Sequence, residues 1–341
     1  MESMHIFQKI HKAVYLFSLL LLLGSLGLLV YESGKMNHAK TELSITNKNM
    51  EMLSGKIEEL AKKEHSITEG SSEENKLSKD IGNEEGIQED MEVTAQEYTI
   101  PLENKIQEEI KIFQDDGSLW SVYYCDLKGG GDFALNSNKM QAASLIKLFI
   151  MGCVYEDYDL MIIKDTKEQI DEWLKTMITV SDNEAANQLV YVLGGGDEAK
   201  GREKVDKFAK DHGYEDTHMG RLLLASNAVD DNYTSVLDCG KFLQDCYESR
   251  LPHSDEIQEL LKQQTRRQKI PAGIPQNVIV GNKTGELQDV QNDVAIVYIE
   301  DYPYLLCVMS QEVKNSDEAM SKIAGLSKSV YSFVDDRMKR E

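Results

Sequence analysis

At 341 residues the chain has room for two ordinary domains, or for one large domain with appendages. Its 59 acidic against 37 basic residues give a formal net charge of −22 at pH 7, which excludes a nucleic-acid footprint, since phosphate binding needs gathered cations. Five scattered cysteines, Cys125, Cys153, Cys239, Cys246 and Cys307, argue against a disulfide framework, and no Cys/His group has zinc-ligand spacing, so neither metal nor other cofactor is expected.

In chain order, residues 14–31 run eighteen positions without a charge, long enough to cross most of a bilayer core if the flanks snorkel. Lys9 and Lys12 precede this span and Glu32 follows it. Basic residues stay on the cytoplasmic side, so 1–13 is expected inside, 14–31 as a single-pass anchor and the C-terminal bulk outside the cell membrane. A cleaved signal peptide is the alternative; its apolar region is shorter, and the sequence YESGKMNH offers no small-x-small cleavage site.

Residues 32–97 contain no Tyr, Phe, Trp or Pro and carry 16 Asp plus Glu against 8 Lys. Such a stretch cannot bury enough apolar area to offset its ordering entropy, and it reads as an acidic flexible stalk. Met50, Leu53, Ile57 and Leu60 follow a 3-4-3 spacing that could mark a coiled-coil seam. Gly55 interrupts it, and a seam needs three or four heptads.

From residue 98 to 341 the pattern becomes periodic. Helical spacing over 102–113 is followed by strands at 118–127 and 132–136 about a Gly turn. Helices follow over 144–156, 167–177, 182–193, 201–211, 233–248 and 254–263. Strands near 278–284, 293–300 and 304–309 precede a last helix over 316–338. Strands at both ends of this region enclose a helical middle, so the sheet is assembled from distant segments. The fold class is α+β, an antiparallel sheet flanked by helices with a helical subdomain.

Three short motifs stand in this region. Ser144-Leu145-Ile146-Lys147 opens the first long helix, with hydroxyl and amine one turn apart on the same face. A serine hydroxyl needs a base to become a nucleophile, and a lysine serves only where burial or nearby cations keep it neutral. Alone, S-x-x-K occurs about once by chance in a chain this long, and its plain reading is an N-capping serine with a surface lysine. Ser181-Asp182-Asn183 stands just before a helix, where capping is again the plain reading. Lys283-Thr284-Gly285 ends an apolar strand. The three in this order, each in a suitable local structure, are far less expected by chance than any one of them.

The set resembles the class A β-lactamases and the related penicillin-binding serine hydrolases. The likeness covers most of 98–341, including the segment 264–275 before the Lys283 strand and the strand 292–298 after it. It implies that Ser144 is acylated, with Lys147 as a base and Ser181 relaying a proton to the leaving nitrogen. Asn183 would bind a substrate amide, and Lys283 and Thr284 a substrate carboxylate, while the small Gly285 lets substrate lie along the strand edge. The backbone N–H groups of Ser144 and Glu286 would form the oxyanion hole. The implied substrates are β-lactams or peptidoglycan-type peptides.

Two departures from the family pattern bear on turnover. An ungapped alignment from Arg221 puts Leu223 where the water-activating glutamate of efficient class A enzymes stands, and Asn227 where its asparagine partner stands, so release of the acyl group is expected to be slow. No Arg occurs between 268 and 300 to supply the extra carboxylate-binding cation, and Glu286 places a negative charge beside the site. An active hydrolase and a binding or sensing module without efficient turnover both fit these residues. A Ser-His-Asp esterase fits poorly: 98–341 has only His212, His218 and His253, and no G-x-S-x-G elbow.

Overall fold

A computed structural model describes residues 99–164 and 167–339. Of the two units into which the chain divides, Met1–Asn83 and Glu84–Glu341, every described residue belongs to the second. The expected anchor at 14–31 and stalk at 32–97 lie outside the described residues. Among the described residues, no helix is long and apolar enough to cross a membrane.

Helix α1 spans 99–113; it buries Leu102, Ile106 and Ile110 along one stripe at four-residue spacing. Strands β1 (Leu119–Asp126) and β2 (Asp132–Leu135) form a hairpin. Strands β6 (Ile279–Leu287), β7 (Val290–Tyr298) and β8 (Tyr304–Gln311) complete a five-stranded sheet ordered β2-β1-β8-β7-β6, with every neighbouring pair antiparallel. The N-terminal hairpin thus pairs with the last strand of the chain, Tyr123 opposite Cys307.

Antiparallel sheets often leave one face to water, but this one is covered on both. Alternate residues of β1 enter different cores, Trp120, Val122 and Tyr124 on one side and Tyr123 and Cys125 on the other. The first side packs against α1 and the C-terminal helix α9 (Ser316–Met338), through Ile323, Leu326 and Val330. On the second side lie α2 (Ile146–Glu156), α4 (Lys167–Thr179), α5 (Asn183–Leu193), α6 (Glu198–Asp211), α7 (Val236–Tyr247) and α8 (Ser254–Lys262), with the short α3 (Tyr158–Lys164). A fully buried Leu or Ile on either side contributes about 1.5–3 kcal/mol.

Helix α2 is the axis of this second layer: every residue from Ile146 to Tyr155 is buried, as in a helix apolar all round. At Gly152 a β-carbon would meet the Phe208 ring at 2.5 Å and the Phe242 ring at 2.9 Å, so its absence lets α6 and α7 close on α2. All five cysteines are buried free thiols, with Cys239 and Cys246 in the same core. The sequence pattern missed α3 and a small sheet of β3 (Met140–Gln141), β4 (His218–Met219) and β5 (Asn232–Thr234), ordered β3-β5-β4. Strands this short carry too few residues to show a period.

Candidate active site

Ser144 sits in a 3-10 turn, Ala143–Leu145, that leads into α2. The turn is held from several directions. Ala142 N–H donates to the Asn232 carbonyl at 2.9 Å, and the Asn292 side-chain amide donates to the Gln141 and Ala142 carbonyls at 3.0 and 3.3 Å. Ala143 has φ +47°, a conformation uncommon outside glycine and asparagine, and it persists only because its surroundings over-determine it. The N-cap positions of this turn and of α2 are Ala142 and Leu145, not Ser144, so the plain capping reading of S-x-x-K does not describe this serine.

Lys147 is not a surface lysine; it is fully buried. Its Nζ lies 3.1 Å from Ser144 Oγ, 2.7 Å from the Ser181 carbonyl, 3.2 Å from Ser181 Oγ and 2.7 Å from Asn183 Oδ1. The two shortest partners are carbonyl-type oxygens, which only accept. A neutral amine can satisfy both with its two N–H bonds and keep its lone pair for a hydroxyl proton. Burial pushes Lys147 down to about 7; Asp182 opposes this shift and Arg266 adds to it.

Ser181 and Asn183 reach this point because the chain reverses sharply between α4 and α5. Ser181 has φ +62°, while Asp182 caps α5 by accepting from Ala185 N–H at 2.7 Å. Capping and site-building therefore divide within one tripeptide: Asp182 caps, and its neighbours face Lys147. From β6 comes Lys283, fully buried, donating to Ser181 Oγ at 2.9 Å and to the Thr284 carbonyl at 2.8 Å. Burial holds it well below the usual lysine range, and Lys147 and Arg266 push the same way. Thr284 is buried beside it. Ser181 Oγ thus stands between two amines that burial makes less basic.

Gly285 packs closely against the turn that carries Ser144. A β-carbon there would fall 2.7 Å from the Ala142 carbonyl oxygen and 3.2 Å from Leu145 Cγ. The bare Cα therefore faces the Ser144 turn, and the glycine lets β6 lie against the backbone of that turn.

Glu286 carries its charge in the company of two cations. Its carboxylate is paired twice, Oε2 with Arg266 Nη1 at 2.6 Å and Oε1 with Lys269 Nζ at 3.1 Å. These cations hold its carboxyl below the ordinary glutamate range against the opposing effect of burial. Both cations come from upstream, because the segment 264–275 folds back along β6: Arg267 donates to the Val280 carbonyl at 2.8 Å, and Asn282 to the Arg266 carbonyl at 3.3 Å. The run TRRQK carried that signal in its charge, but not its direction. Asp293, buried beneath, accepts from Asn282 at 2.9 Å and from Ile270 N–H at 2.9 Å, and burial raises it to about 6.

Ser144, Asn183, Leu223, Asn227 and Glu286 share one cleft of about 350 Å³ with Arg221. The loop from Gly220 to Asp231 is tied across its base by Arg221 and Asp231 at 2.7 Å, both nearly buried. Leu223 is buried at the cleft wall, while Asn227 leans toward Asp231 at 3.4 Å. Asn187, from α5, was not anticipated; it binds both backbone groups of Leu223. A larger groove of about 550 Å³ beside Tyr155, Tyr158 and His253 contains none of the motif residues.

A family model described as the beta-lactamase enzyme family matches residues 101–164 and 161–334. A comparison with curated proteins finds no match. Among solved structures, the chain is similar to PBP-A at 19% identity, covering 68% of this chain and 96% of that one, with a TM-score of 0.60. A leucine-to-glutamate mutant of PBP-A, an acyl-enzyme complex with penicillin G, matches at 19% identity over 69% and 97% of the two chains, with a TM-score of 0.60. A β-lactamase from Sphaerobacter thermophilus matches at 17% identity over 67% and 97%, with a TM-score of 0.59. At these identities the structural likeness concerns the fold.

Proposed function

The chain belongs to the beta-lactamase enzyme family and is a serine hydrolase of that kind, and we propose that Ser144 is its acylated nucleophile, with β-lactams or peptidoglycan-type peptides as acyl donors. The observation that carries this reading is the buried Lys147 Nζ at 3.1 Å from Ser144 Oγ. Lys147 takes the hydroxyl proton as Oγ attacks the carbonyl carbon. Backbone N–H groups of Ser144 and Glu286 stabilise the oxyanion. Collapse of the tetrahedral intermediate breaks the C–N bond, and the proton passes through Ser181 Oγ to the leaving nitrogen. Asn183 holds the substrate amide, and Lys283 with Thr284 binds its carboxylate. The penicillin G acyl-enzyme of the PBP-A mutant supports the choice of a β-lactam as donor.

Release of the acyl group is slow in this reading, because water must attack the ester beside an apolar Leu223 that can neither orient it nor take its proton. A sensing or penicillin-binding role with little turnover is the second reading, and it rests on that same leucine. Residues 14–31 anchor the chain in the cell membrane and 32–97 hold the hydrolase outside it. The test of the nucleophile is intact-mass spectrometry after incubation with benzylpenicillin. A stable mass increase equal to the drug, absent in Ser144→Ala, supports acylation at Ser144. No adduct with any β-lactam sinks it.

A further inference from the structure

The basic side chains around the cleft each have a protein acceptor. Lys147 and Lys283 are buried against Ser181. Arg221 is held by Asp231 and by the carbonyls of Leu222 and Ala225. Lys269 is only 1% exposed and divides its donors between Glu286 and the Asn292 carbonyl at 3.0 Å. Arg266, 44% exposed, has the most solvent-accessible side chain of the five, and it is paired with Glu286.

Glu286 directly follows the K-T-G motif and is among the residues lining the same cleft as Ser144. The partner on its other oxygen is nearly buried. An exposed Arg–Glu pair alone is weak, but this carboxylate is anchored from below by Lys269, so Arg266 is held with it. An incoming substrate carboxylate therefore meets a cation already bound to a carboxylate. It must either displace Glu286 or sit beside it, where like charges repel.

We propose that Glu286 is an internal stand-in for the substrate carboxylate that occupies Arg266 and leaves only Lys283 and Thr284 for an incoming one, so that the site takes neutral amides and esters in preference to acyl donors with a negative charge beside the scissile bond. This inference rests on the reading of Ser144 as the acylated residue. A purely structural ion triad would affect stability and leave discrimination by charge untouched, so the two roles separate by experiment.

The probe pair is benzylpenicillin and its methyl ester, which differ at one carboxylate. Acylation of the full-length chain is followed by intact mass in mild detergent. In Glu286→Gln the ratio of acid to ester acylation rates is expected to rise about tenfold or more, since removing one like-charge contact is worth at least about that factor. Glu286→Asp, which keeps the charge, is expected to stay near the unmodified ratio. An unchanged ratio in a folded Glu286→Gln protein overturns the proposal. A second arm needs no chemistry: calorimetry of benzylpenicillin binding to Ser144→Ala and to Ser144→Ala with Glu286→Gln. Tighter binding by the double variant supports the stand-in role, and equal affinity overturns it. If no protein with Ser144 intact forms an adduct, the nucleophile assignment fails, while the binding arm still decides the role of Glu286.

Discussion

Asn187 and Leu223 exchange two hydrogen bonds, the Asn187 side-chain amide donating to the Leu223 carbonyl at 3.1 Å and the Leu223 N–H donating to Asn187 Oδ1 at 2.9 Å. The backbone of residue 223 is thereby fixed to α5, whose first residue is Asn183. In the proposed mechanism, with the backbone set, the side chain at 223 decides what a water at the ester meets. Leu223→Glu is expected to shorten the lifetime of a β-lactam adduct by about 10²–10⁴-fold, the usual contribution of a general base. The check is the decay of adduct mass after free drug is removed. A lifetime unchanged by the substitution shows that the carboxylate does not reach the ester's water.

The same clamp gives a second expectation. Asn187→Ala removes both bonds and leaves a partly buried N–H and C=O of residue 223 without their partner, a cost of about 1–3 kcal/mol per buried group left unsatisfied. Thermal unfolding should show a lower midpoint. Combined with Leu223→Glu, it should also erase most of the gain in deacylation, because the carboxylate is no longer held in place. Full retention of that gain would show that the loop is positioned by Arg221 and Asp231 alone.

The sheet and the helical layer were legible in the sequence because their elements are long and buried, and β1 reads as alternating residues committed to two cores. The three motifs were legible because each is contiguous. What escaped was contact between segments far apart. The pairing of Glu286 with Arg266 and Lys269 bridges about twenty residues through a fold-back, and Asn187 meets Leu223 across 36 positions. Gly285 was legible as a small residue, but its neighbour was not, since only the packed structure puts Ala142 against it.

That packing makes Gly285 testable. In Gly285→Ala the new β-carbon falls 2.7 Å from a backbone oxygen, which cannot swing aside as a flexible side chain would. Either β6 or the Ser144 turn must shift, at a cost of about 1–3 kcal/mol for overpacking. The expected outcome is a folded protein with a modestly lower melting point and acylation slowed at least tenfold. Oxyanion donors tolerate little displacement, and losing one costs about 10²–10³-fold. Acylation at the unmodified rate would show that the turn is not positioned by this contact.

The pH dependence of acylation follows from Lys147. Its conjugate acid is held down to about 7 by burial, and only the unprotonated amine can accept the Ser144 proton. Below pH 7 the ammonium dominates, and the acylation rate is expected to fall about tenfold per pH unit; above it the rate levels off as the amine becomes fully neutral. An ordinary lysine would move this rise above pH 10. Because the Arg266 charge also pushes Lys147 down, Arg266→Gln is expected to shift the midpoint to higher pH without removing it. Lys147→Arg puts a permanently charged group in the same place and should abolish acylation at every pH. The measurement is the initial rate of adduct formation with the neutral methyl ester of benzylpenicillin between pH 5 and about pH 10, where the acyl donor itself does not titrate. A flat profile, or a rise only at the upper end, would remove Lys147 from the role of base.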